Sequence, residues 1–197
     1  MIERALRTIN VNIKYFGDYT NNKPHKLLKL HGSVNWAHPV MLPFNYRTGS
    51  ETLSISELID SSNIFKVVPQ YEFIDSPPPL AKQAMVPAIA IPIESKNEFE
   101  CPPEFIYTLQ TIIPQVDKII TIGWRETEKH FLNLLVDNLP QKVNMLVVAE
   151  SPSSVSATIE NIQIAGVKGN FKTSQDGFTE FIINRKIDDF LKSEVVK

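Results

Sequence analysis

The chain has 197 residues, 43% of them hydrophobic and 21% charged, with a formal net charge of −2. That length supports one substantial core, and the charge balance excludes a basic nucleic-acid footprint or a polybasic membrane-surface block. The single cysteine, Cys101, excludes an internal disulfide framework and a four-cysteine zinc site, and is compatible with a cytoplasmic protein.

The first residues lack the apolar core of a secretory signal, and no apolar run approaches a membrane span. Ile2, Leu6, Ile9, Ile13 and Phe16 recur every three to four residues and predict a helix over 1–16. Turn-forming residues predict a loop over 17–24. The apolar run 26–30 then predicts a strand that ends in His31-Gly32. A titratable imidazole at the carboxyl end of a strand stands where α/β proteins bind ligands, and Gly32 lets the backbone turn or approach a ligand closely. Eight of the 14 prolines fall between Pro69 and Pro103. Residues 37–86 read as an irregular, proline-containing insertion that packs around a site or covers it. Within it, a short helix is expected at 54–59 and a short strand at 65–68, while Pro77-Pro78-Pro79 forbids regular structure.

After Pro87 the pattern is regular. A buried strand at 88–93 precedes a helix that starts near Pro102-Pro103 and carries Phe105, Ile106, Leu109, Ile112 and Ile113 on one face. A strand at 118–122 ends in Gly123. A helix capped by Thr127 runs to about 139, and a third buried strand spans 143–149 and ends at Glu150. Ser151 or Ser153 opens a helix to about 162, a last strand covers 167–173, and one helix follows with Phe178, Phe181, Ile182, Ile187, Phe190 and Leu191 on one side. Alternating strands and helices predict the α/β class: a three-layer Rossmann-like parallel sheet flanked by helices, as a single domain over 1–197.

Three segments, in order, resemble the C-terminal portion of a SIR2-like (sirtuin-related) domain of the bacterial type. They are Leu28–Trp36 around His31, Val116–Trp124 followed by Glu128-Lys129-His130-Phe131, and Leu146–Pro152 around Glu150. The Gly-Ala-Gly-type loop that holds the NAD pyrophosphate in that family has no counterpart among the seven glycines. The zinc ribbon of the deacetylases has none either. The resemblance therefore implies a shortened NAD-related domain without metal. Its chemistry would be cleavage of the nicotinamide–ribose bond, of the type found in bacterial antiphage systems, rather than protein deacetylation. It assigns His31 as general base or orienting group at the nicotinamide ribose, and places Gly32, Gly123, Trp124, Glu150 and Ser151 at the cofactor.

The missing loop implies that the isolated chain is inactive or very weak. It also implies a second copy or a partner that supplies the missing half of the domain. The alternative is a non-catalytic, degenerate module that binds a nucleotide or a protein partner. Each site residue has a plainer reading beside this one. His31 at a strand end can serve only to bond a carbonyl, Trp124 can plug a vacated cleft, Arg125, which could pair with phosphate, can be a solvated cation, and Glu150 can be a surface acid near a helix start. Trp36 reads as core and His130 as structural or surface. His25, His38 and Cys101 have no partners at metal or nucleophile spacing.

Overall fold

In the computed structural model, which describes residues 2–21, 24–41, 66–74, 85–90, 98–124, 128–139 and 142–193, the first apolar run does not form one helix. Helix α1 (Ile2–Arg7) ends before a left-handed Asn10 (φ 62°), and the chain beyond it buries Val11 and Ile13. Residues 9–13 alternate apolar and polar, a period of two that competes with the helical one. A second helix, α2 (Phe16–Asn21), occupies the expected loop. Asp18 fixes its start by accepting from the Lys14 and Tyr15 amides at 2.7 and 2.9 Å. The fully buried Tyr19 anchors it.

The strand expected at 26–30 is absent, and β1 (Gly32–Met41) begins at the His-Gly pair instead of ending there. His31 therefore stands at the amino end of a strand, a correction to the sequence reading. Leu27, Leu28 and Leu30 pack into the core without joining a sheet. Three strands pair antiparallel with β1: β2 (Lys66–Val67), β3 (Glu72–Phe73) and β4 (Met85–Ile89). Residues 37–41 thus belong to the longest strand rather than to an irregular insertion, while 66–67 matches the short strand expected there. The helix at 54–59, Pro77-Pro78-Pro79, residues 91–93 and the Thr127 cap lie outside the described residues. Trp36 is fully buried, as its sequence context suggests, with the Tyr19 and Phe105 rings edge-on at 5.3 and 5.6 Å. Burial, followed by the Glu100 and Glu104 carboxylates, pushes the Cys101 thiol up to about 12 and leaves it a packing residue.

A polar network closes this core. Glu3 pairs with Lys29 and accepts from the Tyr19 hydroxyl at 3.1 Å, while Lys29 donates to Ser33 and Ser33 to Asn35 at 2.7 and 2.6 Å. Burial opposes ionisation of Glu3, but the Lys29 hydrogen bond and charge outweigh it and bring its carboxyl from 4.5 to about 2. The folded chain therefore holds the ionised form more firmly than the unfolded chain does. This contribution is complete above about pH 4.5 and is lost as pH falls toward 2. It amounts to roughly 1–2 kcal/mol once solvent screening is allowed for. Lys29→Met is expected to remove that part of the acid sensitivity in urea melts between pH 5 and pH 2.5; an unchanged slope would refute the assignment.

The chain divides into two compact units, Met1–Ile91 with Phe99–Ile106 and Pro92–Glu98 with Tyr107–Lys197, where the sequence reading took 1–197 as one domain. The parallel architecture belongs to the second. Helix α3 (Pro103–Ile112) passes into a single 3-10 turn at Ile113–Gln115. It is followed by β5 (Lys118–Ile122), α4 (Lys129–Asn138), β6 (Val143–Val148), α5 (Pro152–Ile164) and β7 (Gly169–Ser174). The sheet order is β5-β6-β7, all parallel. All six β6 residues are buried. Val143 and Met145 pack with Leu132, Leu135 and Ile162 on one face, while Leu146 and Val148 pack with Phe181 and Phe190 on the other. A strand covered on both faces reads as a continuous apolar run. The expected last helix is two, α6 (Gly177–Ile183) and α7 (Lys186–Lys192), broken where Arg185 adopts φ 51°.

Candidate functional site

The carboxyl ends of β5 and β6 open into a crevice of about 550 Å³, within the ~300–1,000 Å³ range of small-molecule and cofactor sites. Open parallel sheets take ligands at this edge because loops there are free of the strand ladder and helix amino ends converge on it. Gly123, Trp124 and Glu150, three residues singled out from the sequence, share this crevice. The Gly123 amide donates to the Val148 carbonyl at 3.1 Å, so it is already used by the sheet. What the glycine supplies is a sharp exit from β5, at φ 61° and with open space where a Cβ would stand. Trp124 packs edge-on against Phe131 at 5.5 Å and forms a wall of the crevice. Glu150 is exposed at the end of β6, and its carboxylate has no hydrogen-bond partner among the described residues.

Ser151 takes a different part. Its hydroxyl accepts from the Ser154 amide at 3.2 Å as the N-cap of α5, with Pro152 in the first turn. That cap fixes the direction in which α5 leaves the sheet. Ser154, Ala157, Thr158 and Asn161 then fall on one helical face and form the opposite wall. Gly177 and Phe178 close the rim, held by a 3.0 Å bond from the Gly177 amide to the Ala149 carbonyl. Asn161 and Phe178 went unremarked as site residues in the sequence. Asn161 reads as part of a solvated helix face and Phe178 as one of an apolar series. Their only signal was position, two turns into α5 and just after the end of β7.

His31 and Gly32 are in the first unit, and the other four sequence-derived residues are in the second. The His31 carbonyl accepts from the Ala90 amide at 2.9 Å, and its backbone bridges Glu100. Gly32 has φ 77°, and an added Cβ would lie 2.0 Å from the Ala88 carbonyl oxygen. Its freedom is therefore used for close approach to β4. The imidazole that organises this unit is His38, which the sequence left unassigned. Its Nδ1 faces the Gln70 carbonyl at 2.9 Å and its Nε2 faces Glu100 at 2.8 Å, and Tyr71 donates to the same carboxylate at 3.1 Å. These bonds tie β1 to the segments before β3 and α3, and nothing in the spacing of the three residues announces them. His130 is half-buried on α4. No group of three or more metal-ligating side chains is found among the described residues, and none of their helices is long and apolar enough to cross a membrane. Comparison with protein-family models, curated proteins and solved structures finds no match to the chain.

Proposed function

We propose that the chain is a cytoplasmic, SIR2-like α/β module that binds an adenine dinucleotide or ADP-ribose through its adenosine half, in the crevice of the second unit. The observation that carries this reading is the convergence of Gly123, Trp124 and Glu150 on one crevice at the carboxyl edge of a parallel sheet. In this reading Glu150 accepts from the ribose hydroxyls, the role that an acid at this strand end plays in dinucleotide folds. In this reading a ribose carrying a phosphate would bring a second anion against the Glu150 carboxylate. The hydrolytic reading requires His31, which belongs to the other unit. Nucleotide binding is the function that one unit can carry by itself.

Calorimetric titration of the whole chain with ADP-ribose, NAD and NADP tests this. NADP is expected to bind at least roughly tenfold more weakly than NAD. Glu150→Gln, which keeps the side chain's shape, is expected to weaken ADP-ribose by roughly tenfold while leaving the melting temperature unchanged. No heat with any of the three ligands, or a Glu150→Gln variant that binds like the parent, would sink the reading.

A further inference from the structure

We propose that the crevice is specific for adenine, with Asn161 reading the 6-amino edge of the base and Phe178 stacking on its face; this rests on the nucleotide-binding reading above. Asn161 and Phe178 both line the crevice that holds Glu150. Helix α6 buries Phe181 completely and exposes Phe178, Ile182 and Ile183, and of these three exposed residues Phe178 is the one that lines the crevice. A large ring left open at the mouth of a crevice offers a face to another planar group. Asn161 lies on the same helical face as Ser154, two turns and about 10 Å further along α5, and so away from the strand end that carries Glu150. That separation suits the distance from a ribose hydroxyl to the far edge of its purine. Between the two ends, Ala157 and Thr158 keep the wall low enough to admit a ring. The Asn161 amide has no side-chain hydrogen bond among the described residues, so both its donor and its acceptor are available.

The chemistry selects one base. An asparagine amide matches adenine with two bonds, its oxygen accepting from the 6-amino group and its nitrogen donating to N7. Hypoxanthine and guanine present two acceptors at that edge. Either orientation of the amide then leaves its oxygen against another oxygen or against N7, and one pairing is lost. Stacking on Phe178 is indifferent to this exchange, because every purine has a π-face. The two residues therefore divide the work, Phe178 supplying affinity and Asn161 the choice of base.

NAD and its hypoxanthine analogue, deamino-NAD, separate these contributions when each is titrated calorimetrically into the full chain. The parent is expected to prefer NAD by roughly tenfold. Asn161→Ala, a substitution favourable to an exposed helix position, is expected to bring the two ligands to within about twofold of each other. Phe178→Ala is expected to weaken both ligands by roughly tenfold and keep their ratio, and Phe178→Trp to restore both. Equal binding of the two ligands by the parent, or an NAD preference that survives Asn161→Ala, overturns the base-reading role while leaving nucleotide binding in place. Binding of neither ligand by the parent overturns both.

Discussion

Gly32→Ala is expected to destabilise the first unit by about 3–5 kcal/mol, more than any exposed substitution in the chain. Two costs add. A methyl group at φ 77° carries the left-handed penalty of about 1–2 kcal/mol. The same methyl would sit 2.0 Å from the Ala88 carbonyl oxygen and within 3 Å of two further β4 backbone atoms, so the Gly32–Ile89 register cannot hold. Relief requires β1 and β4 to separate at the point where the aromatic core around Trp36 begins. Gly123→Ala is the internal control. It has nearly the same left-handed backbone, φ 61°, but nothing within 4 Å of the new carbon, and should cost only the left-handed penalty of about 1–2 kcal/mol. Urea melts followed by near-ultraviolet circular dichroism would report both. If the two variants lose the same stability, the close approach of Gly32 to β4 is wrong.

That pair also shows how far the sequence could be read. Both glycines end or begin a strand, and both look like ligand-side turns when only neighbours in sequence are visible. The difference between them is a backbone atom of Ala88, 56 positions away along the chain. The second unit was legible because β5, β6 and β7 are bounded by turn residues and alternate with amphipathic helices, so burial of local runs settles each element. The first was not. Its longest strand, Gly32–Met41, holds a histidine, a proline and an alanine where a regular alternation would be expected. A register shift between Gly32 and Ala37 disturbs the period further. Its partners β2 and β3 are two residues each and take their meaning from β1. Helix α2 has six residues, too few for propensity to decide, and depends on Asp18 and on burial of Tyr19. In the candidate site the same division holds. Glu150 and Gly123 could be found because strand ends are visible in a sequence. Asn161 and Phe178 owe their place to the packing angle of α5 and α6, which no local pattern encodes.

Phe178 and Phe181 sit three residues apart on α6, and the fold assigns them opposite consequences. Phe181 is fully buried against Leu146, Val148 and Phe190, where it helps seal the second face of the parallel sheet. Phe181→Ala removes that contact and leaves a cavity that a sheet packed on both faces cannot collapse, at an expected cost of about 3–5 kcal/mol. Phe178 is more than half exposed, so Phe178→Ala should change stability by no more than about 0.5 kcal/mol. Thermal and urea melts of the two variants give this contrast directly. Ligand titration of the folded Phe178→Ala chain then asks what an exposed phenylalanine is for. Its ring is free of the core, and Gly177 beside it has φ 77° with open space around the position of a Cβ. That glycine lets α6 start directly above the crevice, and the first side chain the helix can present there is Phe178. A melt in which Phe178→Ala costs as much as Phe181→Ala would mean that the ring belongs to the core, and the crevice would lose its stacking surface.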